Sequence, residues 1–307
     1  MGEPSRAEVQ VQGSRLSSLA QTYEEPDMAR AGRRRGVLHR LNLRFMVGIV
    51  MVAVILLAAI FAPYLGLASY QAMDTMHMMT PPFQSTAHLL GTDDFGRDLL
   101  SRVIYGARVS VEVSFGAVVL AVLLGSVSGL VAAYYGGVPD SVIMRIMDTL
   151  LAFPPILAAI VLIGVLGPGI KSVVLGVGIV YTPAFARVAR AKALSISRLL
   201  FVEASRALGQ SGYRIVWRHV LPNCLGPILV QVTVAAAFAV EAEAGLSFLG
   251  LGVQPPEASW GSILQEARTY IQTEPWFALV PSAALCFYVL GITLVGDGLR
   301  DILDPRR

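Results

Sequence analysis

The run VSFGAVVLAVLLGSVSGLVAAYY, residues 113–135, decides the fold class. It carries no charged residue over 23 positions. A helix rises about 1.5 Å per residue, so about 20 such residues cross a hydrocarbon core of about 30 Å. A helix also satisfies its own backbone hydrogen bonds, which nothing in lipid would do for it. The run therefore predicts a membrane-spanning helix. Five further stretches repeat the pattern, at residues 45–67, 149–170, 172–186, 220–240 and 275–296. The stretch 172–186 reaches spanning length when Lys171 sits at one interface and Arg187 at the other. The expected fold is an all-α membrane protein with six transmembrane helices. Pro63, Pro154, Pro155 and Pro183 interrupt several runs and mark bends.

Composition agrees. The 307 residues are 55% hydrophobic and 15% charged, with a mean hydropathy of +0.63. Ordinary soluble domains are about 45–50% apolar and about 25% charged. The excess disfavours a disordered chain, a disulfide scaffold and a soluble nucleic-acid binder, and no nucleic-acid partner is expected. The net charge of +3 says little; where the arginines fall says more. With six spans, one side collects Arg6, Arg15, Arg30, Arg33, Arg34, Arg35, Arg40, Arg44 and Arg145, then Arg187, Arg190, Lys192, Arg198, Arg206, Arg214 and Arg218, and finally Arg300, Arg306 and Arg307. The other side keeps Arg97, Arg102, Arg108, Lys171 and Arg268. The arginine-rich side, with both termini, is expected to be cytoplasmic. Residues 1–40 are polar and read as a disordered cytoplasmic tail whose cluster Arg33–Arg35 could touch anionic lipid. The first apolar run follows a long tail and reads as an uncleaved signal anchor. Residues 41–108 then hold the first span and an extracytoplasmic segment, 109–300 a five-helix core, and 301–307 a cytoplasmic tail. Cys224 and Cys286 lie in apolar runs and read as small core residues.

Residues 187–223 read RVARAKALSISRLLFVEASRALGQSGYRIVWRHVLPN. Leu199, Leu200, Ala204, Ala207 and Leu208 recur at helical spacing, Glu203, Ser205 and Arg206 point elsewhere, and Gly209 suits a C-terminal cap. A second short amphipathic helix is expected around Arg214–His219, and Leu221-Pro222 opens the next span. A helix–turn–helix of this kind is too polar for lipid and too regular for a linker, so it reads as a docking element. The plainer alternative is an interfacial re-entry loop.

Here the chain resembles a known family. Glu203-Ala204-Ser205, Gly209 and Leu221-Pro222 keep the spacing of the coupling loop of ABC-importer permeases, E-A-A, three residues, G, nine residues, I-x-L-P. Ser205 stands for the third alanine and His219 for the isoleucine. LGTDDFGRDLLSR at 90–102, LSFLGLGVQPP at 246–256 with Trp260-Gly261, and GDGLRDILDPR at 296–306 resemble C-type permease subunits of dipeptide and oligopeptide importers, to which nickel importers are similar. The resemblance runs from about residue 38 to the end. It implies half of a translocation pathway for di- or oligopeptides, or alternatively for nickel or metal chelates. It implies a second homologous permease, two ATPase subunits or a fused pair, an extracytoplasmic solute-binding protein, and a bacterial cell membrane location. Glu203, Ala204, Ser205, Gly209, Leu221 and Pro222 would couple to the ATPases. The chain itself lacks a phosphate-cradling G-x-x-x-x-G-K-[ST] loop, since Lys192 precedes Ala193 and Lys171 follows Ile170. No cofactor is expected on this chain; ATP and magnesium belong to the partners. A membrane enzyme would need catalytic motifs, and neither H-E-x-x-H nor G-x-S-x-G occurs. A secondary carrier would have no use for a docking loop.

On the outer side, Gly91 and Gly96 permit turns, Thr92 lies between them, and Asp93, Asp94, Arg97 and Asp98 can form an ion-pair network. That segment either meets the binding protein or partner permease, or caps the outer surface. Arg108 and Glu112 are spaced to pair. Charges in or beside the spans are costly if they face lipid, which makes Asp148, Glu241, Glu243 and Asp297 pathway candidates. Asp148 could instead pair with Arg145, and the two glutamates could cap a helix–loop junction. Residues 246–256 are too short to span and read as interfacial or re-entrant. The stretch MDTMHMM at 73–79 offers thioether and imidazole groups suited to Cu(I) or Ni, or else a greasy packing loop. No metal ligand is assigned.

Overall fold

The computed structural model describes residues 43–303, so the tail at 1–40, its arginine cluster and the last residues of the chain lie outside the described part. Its elements are α1 (Leu43–Phe61), followed by a 3-10 turn (Ala62–Tyr64), α2 (Leu99–Tyr135), α3 (Gly137–Leu151), α4 (Pro155–Leu166), α5 (Ile170–Ser197), α6 (Leu200–Ala207), α7 (Gly212–Ile215), α8 (Leu221–Phe248), α9 (Trp260–Ala267) and α10 (Trp276–Leu303). Five helices are long and apolar enough to cross a membrane, and the bent pair α3–α4 makes a sixth if taken as one span. The described residues are all-α apart from one isolated bridge between Thr92 and Asp98.

Several boundaries differ from the sequence reading: the helix expected at 172–186 runs on to Ser197, and the last helix runs to Leu303, past the core end expected at 300. The helix expected at 113–135 begins at Leu99, because the side chain of Asp98 accepts from the Ser101 N–H at 2.8 Å and caps it there. The expected break at 108–109 therefore falls inside α2. The expected Arg108–Glu112 pair is not formed; both side chains are exposed. The span expected at 149–170 is broken. Thr149–Leu151 end α3, α4 starts at Pro155, and the two helices meet at 94°. Pro154 and Pro155 cause the break: each lacks an N–H, and a residue before proline is driven out of the helical region.

Glycines set the closest helix crossings, as expected where lipid offers no hydrophobic drive for association. A Cβ on Gly125 or Gly129 of α2 would collide with the backbone of Thr182 or Ala186 on α5. One on Gly48 of α1 would lie 2.8 Å from the Gly291 carbonyl on α10. Two apolar clusters result. Ala117, Ala121, Ile163, Val177, Phe185, Ile228 and Ala239 join α2, α4, α5 and α8. Ala59, Leu99, Val103, Trp260, Phe277, Tyr288 and Ile292 join α1, α2, α9 and α10. Cys224 is buried as expected, whereas Cys286 is exposed on α10.

The bundle has two distinct ends. At one, α9 packs on the start of α2: the indole N–H of Trp260 donates to the Val103 carbonyl at 3.1 Å and its backbone N–H to Ser110 Oγ at 3.2 Å. The irregular segment 65–98 and the loop 249–259 lie at that end, where Gly169 N–H donates to the Leu251 carbonyl. At the other end are α6, α7, the α2–α3 corner and the close of α5.

Candidate functional site

Helix α6 forms where the spacing predicts one, and its apolar residues at 200, 204, 207 and 208 are left exposed. Val202 is fully buried and anchors the helix to the main cluster. Leu200 and Leu208 are 82% and 87% exposed, and Ala204 and Ala207 are exposed beside them. Glu203 is exposed and makes no side-chain hydrogen bond or ion pair among the described residues. Ser205 turns its hydroxyl onto the Phe201 carbonyl at 2.8 Å, as small helical hydroxyls do. Gly209, at φ +75°, ends the helix: its N–H bonds Arg206 and the Gln210 N–H bonds Ser205, a Schellman pair of contacts. His219 lies edge-on to Phe201 with ring centroids 6.0 Å apart, so it braces α6.

The expected second short helix is not separate. One turn of α7 passes through a π turn, Val216–Val220, into α8, giving a continuous 37-residue rod from Gly212 to Phe248. The π turn comes just before Leu221 and Pro222, where the missing proline N–H already interrupts the ladder.

At the opposite end, Thr92 and Asp93 are fully buried. Gly91 and Gly96 have φ of +82° and +74°, and a Cβ on Gly96 would collide with the Asp74 backbone. Asp93 Oδ1 accepts from the N–H groups of Phe95 and Arg97 at 2.9 and 2.8 Å. Its Oδ2 accepts from Arg97 Nε at 2.6 Å and Arg102 Nη1 at 2.5 Å. Glu266 of α9 closes the network, accepting from Arg97 Nη2 at 3.0 Å and from Arg102 Nη1 and Nη2 at 2.5 and 3.0 Å. Arg102 and Glu266 are the members the sequence reading missed; Glu266 lies 164 residues from Arg102, and no local spacing signals the pair. Asp98 stands apart, capping α2 and holding His88 Nδ1 at 3.1 Å. Oxygens of Asp93, Asp94 and Glu266 lie within 4.8 Å of one another, but two guanidinium groups already sit among them. Burial, with the charges of Asp93 and Glu266 added, raises the Asp94 carboxyl above the ordinary carboxylate range.

The pathway candidates do not converge. Asp148 pairs with Arg187 of α5 at 2.7 Å, not with Arg145 as its spacing suggested. Glu241 and Glu243 sit far along α8; Glu241 is exposed, whereas Glu243 is fully buried with Ser247 Oγ donating to it at 2.7 Å. In the stretch 73–79, His77 Nδ1 meets Asp74 at 2.8 Å, which lowers the Asp74 carboxyl. The His77 carbonyl accepts from Thr80 and Thr92, so the stretch is stitched to the charged segment beside it.

A family model described as "binding-protein-dependent transport system inner membrane component" matches residues 121–307. A putative peptide transport system permease protein of Brucella abortus is 45% identical over 273 residues, covering 89% of this chain and 90% of that one. A dipeptide transport system permease protein of Alkalihalophilus pseudofirmus is 43% identical over 265 residues, covering 86% of each. Among solved structures, the inward-facing MetNI methionine ABC transporter matches with a TM-score of 0.55 at 19% identity, covering 66% of this chain and 97% of that one, a likeness of fold. With most of its length matched at this level, and with a bundle of five long apolar helices and one bent pair, the chain belongs to the family of binding-protein-dependent transport system inner membrane components.

Proposed function

We propose that this chain forms half of the translocation pathway of an ATP-driven importer of di- or oligopeptides. Relatives named as peptide and dipeptide permeases favour peptides over nickel or metal chelates as cargo. The observation that carries the coupling role is the state of α6: one buried anchor, Val202, behind a surface of Leu200, Ala204, Ala207 and Leu208 with an unpaired Glu203. A short helix that leaves so much apolar surface beside a free carboxylate is built to seat in a partner's groove. The partner is one of two ATPase subunits, which supply ATP and magnesium chemistry that this chain does not perform. A second homologous permease and an extracytoplasmic solute-binding protein complete the assembly. The α6 end and both termini face the cytoplasm of a bacterial cell, and the α9 end faces outward.

Closure of the ATPases draws the docked helices together, and α5 and α8, which flank the loop, convert that into a change of access between helix bundles. Ala204, Ser205 and Gly209 allow close approach, Leu221 and Pro222 lead into α8, and Glu241 with Asp148 mark exposed polar points along the path. A cysteine at position 203 should cross-link to a co-purifying ATPase subunit. A cross-link to nothing, or reaction of that cysteine from outside intact cells, would falsify the docking assignment.

A further inference from the structure

We propose that the corner joining α2 to α3 receives the motion of the docking loop, with Asp140–Arg190 and Asp148–Arg187 as its positioning pairs. This rests on α6 being the docking element.

The loop has two ends, and both are held against this corner. On the entering side, the last turns of α5 carry Arg187 and Arg190. Arg190 grips Asp140 of α3 with two bonds, Nε to Oδ1 at 2.5 Å and Nη2 to Oδ2 at 2.6 Å. Such a fork fixes orientation as well as distance. Arg187 Nη2 holds Asp148 at 2.7 Å, two turns further along α3. On the leaving side, Gly212 opens α7 directly under Tyr134 of α2; a Cβ there would overlap the Tyr134 ring. The corner is thus tied to the strand of chain entering α6 and to the one leaving it.

The corner is also built to move as a piece. Gly136 and Gly137 link α2 to α3 at φ of +62° and +53°, with open space where side chains would stand. Beyond α3 comes the 94° break into α4. Between these two joints only Met147 is buried, so apolar packing contributes little to holding α3. The ion pairs, above all the two-bonded Asp140–Arg190 fork, tie it to α5. A displacement of α5 by the docked ATPase therefore carries α3 with it. Val138, Val142 and Ile146, exposed at four-residue intervals along α3, and Phe153 just past its end are the surface that would be carried.

The test uses the assembled transporter in proteoliposomes, with uptake and ATP hydrolysis measured together. Asp140→Arg and Arg190→Asp should each cut uptake at least tenfold while hydrolysis continues. The exchanged pair, Asp140→Arg with Arg190→Asp, should bring uptake back to within about threefold of the parent. A merely structural role would not give hydrolysis without transport. Uptake above half in both single variants, or no recovery in an assembled exchanged pair, overturns the proposal. If the single variants do not assemble, cysteines at 140 and 190 decide, in a chain with Cys224 and Cys286 replaced by alanine. Joining the pair at 140 and 190 with a short bis-thiol cross-linker that spans the reach of an Arg–Asp pair should leave uptake intact, since the contact persists through the cycle; blocked uptake would overturn the proposal. Either failure leaves the cross-link at position 203 standing, whereas loss of that cross-link removes the docking reading itself.

Discussion

The charged network of the α9 end and Glu203 at the α6 end are treated in opposite ways. At the α9 end, Asp93 and Arg102 are buried and answer one another together with Arg97 and Glu266. At the α6 end, Glu203 and the apolar surface of α6 answer nothing among the described residues. A buried charge must be paired, because removing it from water costs several kcal/mol. An exposed charge need not be, so leaving it unpaired is cheap for the isolated chain. The first end is finished by folding; in the proposed docking role, the second is finished by a partner. Substitutions at the first should therefore show in stability, and substitutions at the second in transport.

The largest effect belongs to Arg102. Arg102→Ala leaves Asp93 buried with less than its full complement of donors and Glu266 with one guanidinium in place of two. Breaking a buried pair from one side costs about 3–5 kcal/mol. The denaturation midpoint of the purified chain should fall by a correspondingly large step, and the double variant Arg102→Ala with Glu266→Ala should fall by less than the sum of its singles. An unchanged midpoint would mean that the α9 end is not held by this network.

Glu203→Arg should do the reverse. The side chain is exposed and makes no hydrogen bond or ion pair among the described residues, so stability should change by less than about 0.5 kcal/mol. Uptake by the assembled transporter should drop more than tenfold. Equal loss of stability at positions 203 and 102 would erase the contrast between the two ends.

These two residues also mark what was legible beforehand. Charge-free runs placed the spanning helices, since length and apolarity suffice for that. They did not place the start of α2, because Arg102 and Arg108 interrupt the apolar run and the acid that neutralises Arg102 lies on α9, far along the chain. The spacing of Leu200, Ala204 and Leu208 located α6 but not its inward face. Val202 alone turns inward, and a stripe meant for another protein has the same periodicity as one meant for the core. The break in the third span was signalled by Pro154 and Pro155 but its 94° angle was not. The partners of Asp148 and Asp140 are on another helix, and sequence spacing offered only the wrong candidate, Arg145.

A pair of glycines sharpens the comparison further. Gly96 and Gly209 share a left-handed backbone, φ +74° and +75°. A non-glycine residue in that region costs about 1–2 kcal/mol. At Gly209 that is the whole cost of Gly209→Ala, since nothing lies within 4 Å of the added Cβ. At Gly96 the new methyl also strikes the Asp74 backbone. Gly96→Ala should therefore destabilise by about 1–3 kcal/mol more, in the range of overpacking. Equal costs, measured as midpoints of the two purified variants, would mean that the loop at 74 yields freely.

The smallest effect tests the α9 end by pH. Burial raises the Asp94 carboxyl in the folded chain, so folding disfavours its charged form. The unfolded carboxyl titrates near 3.8. As pH rises from below that value through the raised folded pKa, Asp94 withdraws stability, and above it the loss is complete. Asp94→Asn removes the penalty. Solvent reaches this group, so the gain near neutral pH should be on the order of a few tenths of a kcal/mol. It should vanish well below pH 3.8, where both states hold the proton. Asp74, lowered by His77, has the opposite sign: its contribution is present above the ordinary value and disappears as pH falls through the lowered one. Asp74→Asn should therefore flatten the acid limb of a stability–pH curve that Asp94→Asn steepens. Two variants with curves of the same shape would show that the loop at 74–98 does not hold these carboxyls in distinct surroundings.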